Sequence, residues 1–194
     1  MQNKIYTIFG KKGGGKSTLT KELIMSTGGK VIYLSPVEDL KKYDYEIWDN
    51  DNYIEEISLL QYMKMGDIAL VRVPSVEALD VICLVAMSGK SYTIIVDEIE
   101  MYQGSKQFHD IIHYGRHSET NIIANTRRYS DVPRLLTSQT NILFCFRITE
   151  PTDVDYLRKY VSSDFSEIVK NLPEYHYCNS ETLQIKSTKF PTLL

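Results

Sequence analysis

The sequence has no long apolar run, little cysteine and no excess of charge of either sign. Its longest uninterrupted apolar stretch, Val81 to Met87, falls far short of the ~20 residues a helix needs to cross a bilayer. No transmembrane segment is expected. The first residues hold no long apolar segment followed by a cleavage site, so no secretion signal is read there. The three cysteines, Cys83, Cys145 and Cys178, are far apart and set in apolar surroundings. That excludes a disulfide framework and a cysteine metal site, and fits reduced, buried thiols. Lys and Arg number 22 against 25 Asp and Glu, a formal net charge of −3. No global basic field advertises a polyanionic partner, and any such contact must rest on local cations, with Lys106, Arg127, Arg128 and Lys186 as candidates. Internal repeats and low-complexity tracts are absent as well. At 194 residues, one compact domain spanning 1–194 is the expectation.

What is there is an alternation of short apolar runs and helix-like stretches. Lys4–Phe9 reads as a strand and Lys16–Ser26 as the helix after it, stopped by Gly28-Gly29. Val31–Leu34 is a second strand, and the aperiodic segment Glu38–Asn52 reads as loop. Tyr53–Met65 has helical spacing of its apolar residues. Asp67–Val73 is a third strand, and Ser75 caps a helix over Val76–Met87. Tyr92–Val96 is a strand and Phe108–Tyr114 a helix. Asn121–Ala124 is a strand, followed by a polar run to Asp131, and Leu135–Ser138 forms a helical turn. Ile142–Phe146 is a strand, and Thr149-Glu150-Pro151 opens a helix. Phe165–Leu172 is helical, and Glu174–Cys178 and Thr182–Lys186 are weak strands. This order predicts an α/β fold, a mostly parallel sheet with helices on both faces.

Between the first strand and the first helix lies GKKGGGKST, residues 10–18. Gly10, Gly15, Lys16 and Ser17 fill the fixed positions of the phosphate-binding loop G-x-x-x-x-G-K-[ST], the Walker A motif. Glycines let backbone N–H groups close around an anion, and the following helix N-terminus adds its positive end. The nucleotide-binding set is therefore Gly10, Lys11, Lys12, Gly13, Gly14, Gly15, Lys16, Ser17 and Thr18. Lys16 would reach the β- and γ-phosphates and the Ser17 hydroxyl would bind Mg²⁺.

The run Tyr92–Val96 leads straight into Asp97-Glu98, which puts two carboxylates at the carboxyl end of a buried strand, as in Walker B. Asp97 would orient Mg²⁺ through its water shell. Glu98 suits the polarisation of an attacking water. The separation of loop and acids predicts an extra strand between the loop strand and the acid strand. The polar exit of that strand, Asn125, Thr126, Arg127 and Arg128, supplies a third corner, where a polar group can touch the γ-phosphate or the water. Arg116, just after Gly115, is a candidate for projecting into a neighbouring subunit, or an ordinary helix C-terminal cation.

With these residues in hand, the chain resembles the HerA/FtsK superfamily of P-loop ATPases. It most resembles the small genome-packaging ATPases of membrane-containing icosahedral DNA viruses. GKKGGGKS, IIVDE and the stretch from Gly115 to Leu157 carry the resemblance, over roughly positions 5 to 172. It implies a RecA-like core over about 4–172, a C-terminal extension over 173–194, and ATP and Mg²⁺ as cofactors. It implies catalytic roles for Lys16, Glu98 and Arg116 and metal roles for Ser17 and Asp97. Arg127 falls where the family carries its sensor glutamine, so Arg127, Asn125 and Thr126 share the candidacy for γ-phosphate sensing. The partners implied are double-stranded DNA bound without sequence preference, other copies in a homo-oligomeric ring, a hexamer by family habit, and viral capsid vertex or portal components. The implied location is the host cytoplasm or the virion. Two other readings stand beside this one. A filamentous-phage-type assembly ATPase shares the superfamily, and Lys11 matches the signature lysine of ParA/MinD-like dimerisation switches. A small-molecule kinase would share the loop, but no arginine-rich lid is evident and Glu98 favours water as acceptor.

Overall fold

Residues 3–27, 29–35, 47–50, 56–65 and 67–188 are described by a computed structural model. The apolar runs form strands because they are buried from both sides, the pattern of parallel sheets rather than of half-exposed ones. In the first half these are β1 (Ile5–Phe9), β2 (Lys30–Leu34), β3 (Ile47–Asn50), β4 (Ile68–Val71) and β5 (Tyr92–Val96). They alternate with α1 (Lys16–Thr27), α2 (Glu56–Met65) and α3 (Val76–Ser88). The second half adds α4 (Lys106–Tyr114), β6 (Asn121–Thr126), α5 (Arg134–Gln139), β7 (Ile142–Phe146), α6 (Pro151–Tyr160), α7 (Ser163–Lys170), β8 (His176–Asn179) and β9 (Ile185–Ser187).

The nine strands among the described residues join one sheet in the order β3-β4-β2-β5-β6-β1-β7-β8-β9. Pairing is parallel from β3 to β7, and antiparallel where β8 meets β7 and β9 meets β8. The mostly parallel α/β architecture is the expected one. So is the strand inserted between loop strand and acid strand: β6 separates β1 from β5. Register then fixes the site. Ile8 lies opposite Asn125 and Phe9 opposite Thr126, while Val96 lies opposite Ala124. The start of the glycine loop, Asn125 and Asp97 thus reach the same carboxyl edge.

Side chains alternate between two apolar clusters, one on each face of the sheet. Ile5, Phe9, Ile94, Val96, Ile122 and Ala124 face the cluster that includes residues of α2 to α7. Ile8, Ile95 and Ile123 face the one that contains Leu19 of α1 with Phe144, Phe146 and Tyr177. Serines cap three helices: Ser75, Ser105 and Ser162 accept from the N–H of Ala78, Phe108 and Phe165 at 3.1, 3.0 and 3.0 Å. Each such cap contributes ~1 kcal/mol. The three cysteines are free and buried.

Several expected boundaries shift. The segment read as loop over 38–52 contains β3, which pairs parallel with β4 at the sheet edge; residues 36–46 and 51–55 lie outside the described residues, as does Gly28. The strand expected to end at Ala124 continues through Asn125 and Thr126, because both keep parallel partners in β1. The helix expected at Phe165–Leu172 runs from Ser163 to Lys170, and the last strand sits at Ile185–Ser187. Thr149 does not cap α6, although Pro151 does occupy its first turn. The hairpin β8–β9 is a continuation of the central sheet through β7.

Candidate functional site

The glycine loop leaves β1 under tight steric control. The Gly10 N–H donates to the Thr126 carbonyl at 3.2 Å. A Cβ on Gly10 would stand 2.8 Å from the Cβ of Phe146, so only glycine fits beside the end of β7. Gly15 has φ +104, and a Cβ there would meet the Thr188 hydroxyl at 2.9 Å. The loop is thus wedged between Phe146 and a residue from the far end of the chain. Lys16 folds back over it, donating to the carbonyls of Gly10 at 2.6 Å and Lys11 at 3.0 Å. Burial, with the Arg127 guanidinium nearby, holds the Lys16 ammonium below its ordinary pKa of 10.5, against the opposing pull of Asp97, Glu100 and Glu98. Helix α1 begins at Lys16 and has no acid in its first turn, so its N-terminal N–H groups keep their positive end for an anion. Ser17 and Thr18 are half-buried at that terminus, and Lys12 is exposed. Lys11 turns aside and donates to the Thr149 hydroxyl at 2.8 Å.

Asp97 is only 6% exposed, and each of its oxygens has a donor. The Tyr33 hydroxyl donates to Oδ2 at 2.9 Å, and the Asn125 amide donates to Oδ1. The same amide donates to the Thr20 hydroxyl at 3.0 Å, which itself donates to the Lys16 carbonyl at 3.0 Å. A continuous polar chain therefore links the acid strand, across β6, to the first turn of the loop helix. A carboxylate and the Ser17 hydroxyl form a hard-oxygen donor set that suits Mg²⁺, which takes one or two carboxylates and keeps the rest of its shell for water and phosphate. No cluster of three or more His, Cys, Asp or Glu able to cage a metal is present among the described residues.

Glu98 adopts the left-handed conformation, φ 53 and ψ 51, a backbone state that non-glycine residues keep only where surroundings enforce it. Its carboxylate pairs with the Arg127 guanidinium. The Arg127 N–H donates to Glu100 Oε1 at 3.3 Å. Glu100 was not singled out in the sequence, yet it shares this corner. Its other oxygen is enclosed with no hydrogen-bond partner among the protein atoms, as is the Tyr102 hydroxyl. Burial, with Asp97 and Glu98 nearby, pushes the Tyr102 phenol up to about 12.

The three sensor candidates therefore point in different directions. Asn125 is committed to Asp97 and Thr20, and Arg127 to Glu98. The Thr126 hydroxyl is turned away: it accepts from the Arg128 N–H at 3.1 Å and donates to the Arg128 carbonyl at 3.0 Å. Arg116 is not brought to the loop at all. It is exposed, in a single 3-10 turn ahead of β6, where Thr120 donates to the Gly115 carbonyl at 2.9 Å. That is the amino edge of the sheet, opposite the loop. Arg128 lies 3.7 Å from Asp131, and Lys106 and Lys186 are exposed. Besides Glu100, the residues that sequence reasoning missed are Thr20, Tyr33, Phe146 and Thr188, whose roles come from long-range neighbours and leave no local signal.

The fold has close counterparts among solved structures. The genome packaging NTPase B204 from Sulfolobus turreted icosahedral virus 2, solved with sulfate, superposes with a TM-score of 0.77 at 18% identity, covering 97% of each chain. The same protein in complex with ATP-gammaS gives 0.74 at 20% identity, covering 96% of this chain and 97% of that one. B204, the DNA-packaging ATPase from Sulfolobus turreted icosahedral virus, gives 0.75 at 22% identity, covering 97% and 98%. No curated protein matches the sequence. The resemblance to viral genome-packaging ATPases expected from the motifs agrees with these neighbours, and a sequence family accounts for nearly the whole chain. The profile of the Poxvirus A32 protein matches residues 3–176, and the chain belongs to that family.

Proposed function

We propose that this protein is a Mg²⁺-dependent ATPase that drives double-stranded viral DNA into a capsid, working as a homo-oligomeric ring. One observation carries the reading most. Asn125 ties the Walker B carboxylate Asp97 to Thr20 in the first turn after the phosphate loop, so acid and loop stand together across an inserted strand. Kinship with B204, a packaging NTPase that has been solved with ATP-gammaS, supports the substrate and the process.

In this reading the loop N–H groups and the Lys16 ammonium hold the β- and γ-phosphates, and the α1 N-terminus adds its field. Ser17 and Asp97 would hold Mg²⁺, which would supply positive charge beside the transferred phosphoryl group. Glu98 takes the proton of the attacking water, a contribution typically of 10²–10⁴-fold. Arg127, released from Glu98, meets the γ-phosphate, and Arg116 serves a neighbouring subunit. Exposed cations, with Lys106, Arg128 and Lys186 as candidates, contact DNA phosphates, which carry no base information.

The deciding experiment measures ATP hydrolysis in Mg²⁺ with and without double-stranded DNA. Hydrolysis stimulated by DNA of any sequence, and weakened steeply by salt, is the expected result. Absence of hydrolysis, or sequence-specific binding insensitive to salt, would overturn the translocase reading.

A further inference from the structure

The turn after the acid strand carries a second glutamate, Glu100, to which the reaction described above gives no part. Ile99 and Tyr102, both buried, anchor this 3-10 turn in the core, and the Met101 N–H donates to the Glu98 carbonyl at 2.8 Å. Both carboxylates meet Arg127. Glu98 pairs with its guanidinium, and Glu100 Oε1 accepts from its backbone N–H at 3.3 Å. Glu100 Oε2 is enclosed, and among the described residues nothing donates to it. An enclosed carboxylate oxygen without a donor is costly and calls for a partner. We propose that Glu100 is the second acceptor for the attacking water, taking up one O–H group while Glu98 takes the other, once Arg127 has moved from Glu98 to the γ-phosphate. The inference rests on the ATPase reading of the site.

The chemistry asks for such a group. A water attacks phosphorus through a lone pair, and it is aimed best when acceptors hold both of its hydrogens away from the phosphate. Glu98 supplies one acceptor. Arg127 cannot supply the other, because a guanidinium has donors only. Both oxygens of Asp97 already have donors, in Tyr33 and Asn125. Asn125 is further tied to Thr20, and the Thr126 hydroxyl is turned to Arg128. Besides Glu98, the side-chain oxygen left to accept at this corner is Glu100 Oε2. Its charge is also felt where the phosphates would lie. Burial and then Arg127 lower the pKa of the Lys16 ammonium, and of the acids that oppose them Asp97 weighs most, Glu100 next and Glu98 least. The step then balances. The water oxygen bonds to the γ-phosphorus as the bond from phosphorus to the β–γ bridging oxygen breaks, and that oxygen leaves on ADP with its electron pair. One water proton passes to Glu98. The other stays on the new inorganic phosphate, held by Glu100 Oε2.

The discriminating variant is Glu100→Gln. Its amide oxygen can still accept from the Arg127 N–H, but the atom in place of Oε2 becomes a donor. A brace would survive that exchange and an acceptor would not. With ATP and Mg²⁺, kcat of Glu100→Gln should fall about 10- to 100-fold, the worth of one hydrogen bond to a charged group. Its calorimetric affinity for ATP-gammaS should not weaken. ADP with aluminium fluoride, which mimics the in-line transition state together with its water, should lose affinity in step with kcat. A Glu100→Gln variant as active as wild type overturns the inference. So does an equal loss of kcat and of ATP-gammaS affinity, which would make Glu100 a support for the nucleotide site. If Glu100→Gln does not fold, Glu100→Asp, which keeps the charge and shortens its reach, takes its place under the same criteria. Wild-type protein that hydrolyses no ATP sinks the ATPase reading and this inference together, whereas hydrolysis indifferent to Glu100 sinks this inference alone.

Discussion

The Arg127 guanidinium is ion-paired with the Glu98 carboxylate, so the residue at the sensor position holds the one expected to activate water. Both side chains are partly exposed, 44% and 24%, and a pair in such a setting contributes only ~0–1 kcal/mol. A γ-phosphate with several charged oxygens competes easily for that guanidinium. On the proposed reading, Glu98 is released only when the full triphosphate is present. Arg127→Ala should therefore weaken ATP-gammaS binding by roughly 10- to 100-fold, the worth of one charged hydrogen bond, and leave ADP unaffected. Calorimetry with the two nucleotides checks this. Equal losses for both would deny Arg127 any contact with the γ-phosphate.

Glu98 and Lys16 divide chemistry from binding. Glu98→Gln should keep nucleotide affinity and lose turnover by ~10²–10⁴-fold. Lys16→Ala should lose affinity as well, because its ammonium is the charge folded over the loop carbonyls. Single-turnover rates beside equilibrium binding separate the two.

Lys16 also gives the site a pH signature. Burial, aided by Arg127, lowers its pKa from 10.5, so the folded protein gives up this proton at a lower pH than the unfolded chain. Between the two values the unfolded chain binds more protons, and stability of the nucleotide-free protein rises with pH. Nucleotide binding runs the other way, since it needs the ammonium. Affinity for tripolyphosphate should fall as pH climbs toward 10.5, beginning below it. In Lys16→Arg, which stays charged, the part of the slope due to this residue should disappear and the fall should begin at higher pH. A wild-type profile that coincides with that of the arginine variant would contradict the role given to this proton.

Asn125 is the keystone of the polar chain and is only 2% exposed. Asn125→Ala removes a donor from Asp97 and a partner from Thr20 at once. Leaving buried polar groups unmatched costs ~1–3 kcal/mol. The melting temperature should drop by several degrees, and the Mg²⁺ concentration for half-maximal activity should rise because Asp97 loses its orientation. A stability loss with unchanged Mg²⁺ dependence would reduce Asn125 to a packing role.

The sequence made some of this legible and hid the rest for physical reasons. Asn121–Ala124 was readable as the strand between loop and acids, because a short, mostly apolar run between helices has few other places to go. Its last two residues were not, since asparagine is a poor strand former and only β1 on the neighbouring side extends it. The tetrapeptide of β3, Ile47–Asn50, has no alternation to read and owes its form to β4. The phosphate loop and Asp97-Glu98 announced themselves through fixed spacing. Phe146 against Gly10, Thr188 against Gly15, and Tyr33 against Asp97 are contacts between residues more than sixty positions apart. The left-handed turn at Glu98 is equally silent in sequence, because nothing in a glutamate marks it for that conformation.

Arg116 separates a ring from a self-sufficient enzyme. It sits beyond the amino end of β6, while the loop follows the carboxyl end of β1. A six-residue strand lies between, about 20 Å at ~3.3 Å per residue. Arg116 cannot serve the nucleotide of its own chain, yet it is exposed and positioned by Gly115, where a Cβ would strike Asn3 at 2.8 Å. If it reaches a neighbour's γ-phosphate, ATPase activity per molecule must rise with protein concentration. Glu98→Gln and Arg116→Ala should each be inactive alone. Mixed together they should regain hydrolysis, because some interfaces then join an intact Glu98 to an intact Arg116 from the next subunit. The gain should be large, since such an arginine contributes 10³–10⁵-fold. A mixture that stays inactive although mixed oligomers form would remove Arg116 from the mechanism. So would an Arg116→Ala variant as active as wild type, and Arg128 would then be the next cation to substitute.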